Sequence, residues 1–438
     1  MTGSRPPEER RINVKLTKPT LKTALVVLPF LVTLIFIWRF ATPTPLTDEW
    51  ILVYNAMVAQ HASFKNILAI IGALGWKIND HPLIVPNLIY LTIAPVFGFD
   101  ARAMVAITAA CFLAVALALA RSGLSLVAAL LAALILASPA HFMEFQWGFQ
   151  FTLTLSIWLP VIGLVVLDQG TREGRIDLRS ALIFAILAAL GVLSSAPAAF
   201  SLIAAGALIA LKPLPRREKL LAILVLAAAF IAVALVLHAI SGGGDQGSPA
   251  PVAYYILTAI GGVLFSSPLV LKQFGFDLRS ATGLVLVITM LALGLFAAVK
   301  GRISALALPA ALTLYSVALL GAVAVIRGYL GNWHIQMAVP VLLAAIVLAD
   351  RAWTAGALPA RTGALVIFAI IAFGVVGVWN GFTVEGPAHA QYAQNVTNYM
   401  RNIRNAPAEK PFPGNWDVAP EMVDFLKKKG NPSFADEK

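Results

Sequence analysis

The chain has 438 residues, 59% of them hydrophobic and only 12% charged, with a mean hydropathy of +0.84; that is more apolar surface than one soluble core buries, and it places the chain in a bilayer. A net charge of +11 would suit nucleic acid if it formed a continuous basic face, but the Lys and Arg fall in short runs between apolar stretches, which argues against nucleic acid as a partner. The single cysteine, Cys111, excludes an intrachain disulfide and a cysteine-based metal site.

Residues 1–21 form a polar, basic N-terminal segment. The first apolar run, 22–41, is long enough to cross a bilayer and too long for a signal-peptide core, so it reads as a retained anchor. Asp48 and Glu49 follow after Pro43 and Pro45 stiffen the exit. An acidic pair there either opens the helix expected over 49–60, where the dipole favours negative charge, or supplies a general base. Within 50–71, Trp50, Val53, Tyr54, Met57, Val58, Phe64, Ile67, Leu68 and Ile71 recur at helical spacing against Asn55, Gln60, His61 and Lys65. That pattern predicts helices lying in the membrane interface. His81, Pro82 and Leu83 then turn the chain back towards the membrane, and 83–98, interrupted by Pro86 and Pro95, predicts a half-inserted or interfacial helix, since about fifteen usable residues rise only ~23 Å.

Further apolar stretches at 103–120, 124–142, 150–167, 180–194, 198–211, 219–240, 281–299, 303–326, 335–349 and 362–380 bring the expected crossings to about eleven. The pair 180–211 reads as a hairpin of two short helices turning at Ser194, Ser195, Ala196 and Pro197. Between the third and fourth spans, Glu144, Gln146 and Gln150 stand among Phe142, Phe145, Trp147 and Phe149, either as part of an interfacial aromatic belt or as the lining of a sugar pocket. His141 and Glu144 have the i, i+3 spacing of metal ligands, but no second such pair accompanies them; a divalent metal is a possibility to which no residues are assigned. After the ninth span come Arg327, Tyr329 and His334. An arginine at that boundary either snorkels or clamps a phosphate.

With 83–98 not crossing, one side of the membrane receives Arg5, Arg10, Arg11, Lys15, Lys18 and Lys22, then Arg121, then Arg172, Arg175 and Arg179, then Lys212, Arg216, Arg217 and Lys219, then Lys300, Arg302, Arg351 and Arg361. The other side receives Arg39, Lys65, Lys77, Arg102, Lys272, Arg279 and Arg327, spread over longer loops. The positive-inside rule therefore predicts a cytoplasmic N-terminus, with outer loops at 42–102 and 241–280 and an outer C-terminal tail at 381–438. The expected fold is all-α: a 22–380 transmembrane domain with interfacial helices in the first outer loop. Ionisable groups are almost absent from the middles of the spans and gather at their outer ends, unlike the midplane sites of ion-coupled transporters.

The order of cytoplasmic N-terminus, anchor, acidic pair, interfacial helices, His-Pro-Leu re-entry and Phe-Gly-Phe-Asp-Ala-Arg at 97–102 resembles the GT-C superfamily of polyprenyl-phosphate-sugar-dependent glycosyltransferases, in particular the protein mannosyltransferase and aminoarabinose transferase type. The likeness covers roughly 22–150. It implies a base at Asp48 or Glu49, with Asp48 favoured. The family's His-Pro-Pro-Leu segment maps onto His81-Pro82-Leu83 with one proline missing, and its second loop acid onto Glu144, in a different setting. Arg327 and Tyr329 look like the group that contacts the lipid phosphate, and Gln146, Gln150 and His334 are further substrate-binding candidates. The expected reaction is transfer of a sugar from a polyprenyl-phosphate-linked donor to a glycan, lipid or protein hydroxyl on the periplasmic face of a bacterial inner membrane, with membrane lipids as surroundings. The alternatives are a lipid or glycan flippase, and an oligosaccharide polymerase or ligase.

Overall fold

A computed structural model describes residues 18–61, 77–78, 81–171, 174–240, 251–264, 278–327, 329–354, 371–372, 374–405 and 418–434. The described chain is helical except for a minimal antiparallel pair, β1 (Lys77–Ile78) and β2 (His81–Pro82), in which Ile78 faces His81. Helices α1 (Lys18–Val27) and α2 (Pro29–Phe40) form one apolar rod. Pro29 opens the second piece at a position where its missing amide costs nothing. Phe30, Thr33, Phe36, Ile37 and Phe40 make the buried stripe of α2, spaced for one helical face, while Trp38 on the other face is 83% exposed.

Next come α3 (Glu49–His61), α4 (Ile84–Ile93), α5 (Ala101–Arg121), α6 (Leu126–Leu136), α7 (Phe151–Gly170), α8 (Leu178–Val192) and α9 (Phe200–Leu211). They are followed by α10 (Arg216–Ile240), α11 (Val252–Gly262), α12 (Leu278–Val299), α13 (Ala307–Arg327), α14 (Val339–Thr354), α15 (Gly386–Arg401) and α16 (Pro420–Lys428). Among the described residues, seven helices are long and apolar enough to cross a bilayer: Leu21–Phe40, Ala101–Arg121, Gly148–Gly170, Arg216–Val236, Leu278–Val299, Ile303–Arg327 and Asn332–Thr354. Three further expected crossings correspond to the shorter apolar helices Leu126–His141, Leu178–Val192 and Ala196–Leu211. The eleventh, 362–380, lies in part outside the described residues, and the 1–17 segment, 62–76 and the 241–250 run lie wholly outside them. The seven long helices are those of a multi-pass membrane protein. α10 and α12 carry leucines more than half exposed, such as Leu220, Leu224, Leu291 and Leu295, as lipid-facing helices do.

The bundle has two ends, and the hydrogen bonds assign residues to each. At one end Lys22 Nζ donates to the carbonyls of Ala120 (2.7 Å) and Leu124, and Asp350 accepts from the Ser125 amide at 3.2 Å. At the same end Asp168 joins Lys212 and Arg351, each at 2.8 Å, and Arg351 also reaches the Ala305 carbonyl at 2.9 Å. The other end gathers 40–48, 98–101, 138–150, 193–197, 327 and 329–338. Helix α7 joins the two, and the 18 steps from Gln150 to Asp168 are worth ~27 Å of rise, close to a hydrocarbon thickness. Helices α8 and α9 run out to the second end and back, with the turn of the hairpin at Ser194 to Pro197 as the sequence predicts. The 83–98 stretch forms α4 and a 3-10 turn Ala94–Phe97 that ends on Gly98 at φ +62°. Ten residues of α4 rise only ~15 Å, and its start docks on the hairpin through the Val85 amide and the Leu193 carbonyl at 3.2 Å.

The expected polar face of α3 is corrected in one place. Asn55 is buried, donating to Asn87 of α4 at 3.1 Å, so the helix packs on protein on that side as well. The C-terminal tail also packs on protein. A π turn, Gly381–Glu385, leads into α15, and α15 and α16 cover the segment that carries the acidic pair.

Candidate functional site

Asp48 lies in a strained turn. Thr47 holds φ at +42°, unusual for a β-branched residue; Glu49, Trp50 and Ile51 then close successive amide bonds to Leu46, Thr47 and Asp48 at 3.0, 3.2 and 3.1 Å. The turn is pinned from outside by Trp147, whose indole donates to the Leu46 carbonyl at 3.0 Å. Because helix α3 begins here, the two carboxylates face different surroundings. Asp48 lines a cavity of about 170 Å³. Glu49 is fully buried behind it, next to Gly148, where a methyl group would stand 2.5 Å from its Oε1.

The cavity wall opposite comes from the start of α7, the α8–α9 turn and the end of α13. Gln150 lines it, held by the Gln336 amide at 3.3 Å, and Gln336 in turn accepts from Thr154 at 3.2 Å. Arg327 closes α13, where a cation suits the helix dipole. Tyr329, Trp333 and His334 follow, their rings 6.3 and 6.1 Å apart from Tyr329. Trp147 meets Trp333 edge-on at 6.1 Å and stacks on Phe149 at 5.9 Å, so the cavity has an aromatic floor of the kind that suits the apolar faces of a sugar ring.

Of the residues singled out from the sequence, the fold brings Asp48, Gln150, Arg327, Tyr329 and His334 to one cavity. Leu83, next to the re-entry motif, joins them; His81 is placed by its backbone pairing, and its side chain lies outside the described residues. Three other expected residues, Glu49, Glu144 and Gln146, do not line this cavity. Glu49 has no hydrogen-bond partner for either oxygen among the described residues, and burial pushes its acid up to about 8. The Leu46 backbone opposes that shift and Asp100 adds to it. Glu144 is 1% exposed and away from the cavity, with burial raising its acid well above the ordinary range. Gln146 is buried as a brace, its amide donating to the Gly386 carbonyl at 3.0 Å just after the π turn. For Glu144 and Gln146 the reason is shared: the 3-10 turns Pro139–His141 and Gly148–Gln150 rotate their chain so that only its last residues face the cavity, whereas Glu49 is turned inward by the first turn of α3.

His141 is likewise satisfied internally, with Nε2 at 3.0 Å from the Ile135 carbonyl. Among the described residues no three His, Cys, Asp or Glu side chains stand together as a metal-binding group. Ser194, Ser195, Pro197 and Met337 line the cavity without having been singled out as ligand groups. The Ser-Ser-Ala-Pro turn was the available signal, legible as a break between helices but not as a wall. No protein-family model, curated protein or solved structure matches the chain.

Proposed function

We propose that this protein is a membrane glycosyltransferase that moves a sugar from a polyprenyl-phosphate-linked donor to an acceptor hydroxyl, as the resemblance to the GT-C superfamily implies. The observation that carries the reading is the cavity that collects an acid from the first inter-helix segment, a guanidinium from the end of α13, and tryptophan faces between them, from parts of the chain nearly three hundred residues apart. In the reaction Asp48 takes the acceptor proton as its oxygen bonds to the anomeric carbon. The bond from that carbon to the donor phosphate breaks, its electron pair leaves on the phosphate oxygen, and Arg327 offsets the growing negative charge. Gln150 and the tryptophans hold the sugar. A donor already anchored in lipid enters sideways between helices, which accounts for a carbohydrate-type cavity in a chain without a nucleotide-binding motif.

The site belongs on the periplasmic face of a bacterial inner membrane in this reading, with about eleven crossings and the N-terminus in the cytoplasm. Membranes bearing Asp48→Asn, given donor and acceptor, should lose transfer by at least 10²-fold at normal protein level, in line with loss of a general base. Full activity in that variant would remove Asp48 from the mechanism. Vectorial movement of the lipid-linked sugar with no new glycosidic bond would favour a flippase, and a ladder of products a polymerase.

A further inference from the structure

Two serines follow one another where α8 gives way to α9, and their hydroxyls are used differently. Ser194 Oγ donates to the Leu190 carbonyl at 2.8 Å. Ser195 stands at the N-cap of the 3-10 turn Ala196–Ala199, where a serine ordinarily accepts from an amide of the first turn. Here it caps nothing. Pro197 has no amide to give, and the Ala198 amide bonds to the Ser195 carbonyl at 3.1 Å instead of to its hydroxyl. The backbone around it is already held. The Ser194 and Ser195 amides both reach the Gly191 carbonyl, at 3.0 and 2.9 Å, and the Leu193 carbonyl accepts from the Val85 amide at 3.2 Å. The Ser195 hydroxyl therefore makes no hydrogen bond among the described residues, although the residue is only 6% exposed. It is not sealed in protein either, and the space it meets is the cavity that Ser195 lines.

The turn and α9 run on as one apolar helix, Ala196–Leu211, whose N-terminus opens on the same cavity through Ser194, Ser195 and Pro197. The first amides of a helix have no carbonyl ahead of them, and the dipole leaves positive potential at this end. The end of α13 packs beside it, where Val323, Ile326 and Arg327 line the wall. Arg327 joins none of the ion pairs among the described residues. A free hydroxyl, a helix N-terminus and a guanidinium thus converge on one space, while the carboxylate that lines it, Asp48, comes from the opposite wall. We infer that Ser195 and the N-terminus of α9 form the phosphate-binding half of the cavity: the Ser195 hydroxyl donates to a phosphate oxygen of the lipid-linked substrate, and Arg327 supplies the balancing charge. This rests on the transferase reading and deepens it, placing the phosphate at the α8–α9 corner and the sugar towards Gln150 and the tryptophans. Such a set suits a phosphate because the oxygens of the anion accept from every one of its donors.

Titration calorimetry of the full-length protein in dodecyl maltoside, with farnesyl phosphate, farnesol and inorganic phosphate as probes, tests the assignment. The wild type should bind farnesyl phosphate more tightly than either of the others. An equal affinity for farnesol would overturn the phosphate contact, and an equal affinity for inorganic phosphate would overturn the lipid-linked assignment. Ser195→Ala removes a hydroxyl bonded to nothing in the protein; it should weaken farnesyl phosphate by about 10-fold or more and leave farnesol unchanged. Ser195→Asp separates binding from folding. An aspartate suits the N-cap, so the melting temperature should hold or rise while its charge expels the phosphate and binding is lost. Retained binding in Ser195→Asp, or equal losses for farnesyl phosphate and farnesol in Ser195→Ala, would overturn the proposal. None of these readouts needs turnover. If they hold while membranes form no glycosidic bond, the phosphate site stands and the transferase reading falls. If transfer depends on Asp48 while both Ser195 variants bind farnesyl phosphate as the wild type does, the transferase reading stands and this site falls.

Discussion

At the scale of single residues, the acidic pair divides into an acid that faces the cavity and one that the protein hides. Glu49 keeps its proton to about pH 8 in the folded chain against an ordinary value of 4.5. The folded state therefore binds the proton more tightly than the unfolded state, and stability is greatest below pH 4.5 and declines as pH rises towards 8, at up to about 1.4 kcal/mol per pH unit. Glu49→Gln should flatten that decline in unfolding measurements at pH 5 to 8 and should retain transfer, in contrast to Asp48→Asn. An activity loss equal to that of Asp48→Asn would return Glu49 to the chemistry. Thr47 offers a second test. Its left-handed backbone costs about 1–3 kcal/mol, and its buried hydroxyl has no partner among the described residues. Thr47→Gly relieves both and should raise the unfolding temperature while loosening the turn that aims Asp48, so stability and kcat should move in opposite directions.

Among the elements, the tail has the largest effect on the site without lining it. Asn431, 1% exposed, donates to the carbonyls of Phe99 (2.7 Å) and Pro43 (3.3 Å), and Thr44 shares hydroxyl contacts with Thr397 (2.6 Å) and Ser433 (2.7 Å). Phe99 itself holds φ at +61°, and its ring meets Phe425 at 5.1 Å. Asn431→Ala strands the Phe99 carbonyl, while that of Pro43 keeps the Ala101 amide at 3.2 Å, and should cost about 1–3 kcal/mol, visible as earlier melting and as a fall in transfer, although Asn431 is not at the cavity. None of this was legible in the sequence, where 381–438 reads only as polar. Hydropathy identifies helices because burial in lipid demands a long apolar run, and it located the hairpin turn and the short α4 for the same reason. It cannot say which way a polar residue points within an apolar stretch. Glu144, Gln146 and Gln150 look alike in the sequence, yet one is sealed, one braces a carbonyl, and one lines the cavity, according to two 3-10 turns of three residues each.

For the molecule as a whole, the two ends do different work. The end opposite the cavity is tied by Asp168, 1% exposed, between Lys212 and Arg351, which fixes α7, the α9–α10 corner and α14 to one another. Asp168→Leu leaves two cations without their anion and should destabilise the bundle by about 3–5 kcal/mol, measured as loss of folded protein in detergent, with transfer per folded molecule near that of the wild type. Single cysteines at exposed sites of the two ends, Arg39 and Arg121, should react with impermeant reagents from opposite faces of the membrane; reaction from the same face would break the topology proposed for the site.

The contacts between Thr44 and its partners on the tail join positions 353 and 389 residues apart. During synthesis the anchor and its acidic turn are made early, yet the clamp that sets them is among the later segments to emerge. The nascent chain thus passes through insertion of nearly every helix with its acidic turn unclamped, and that turn is set in one late docking event.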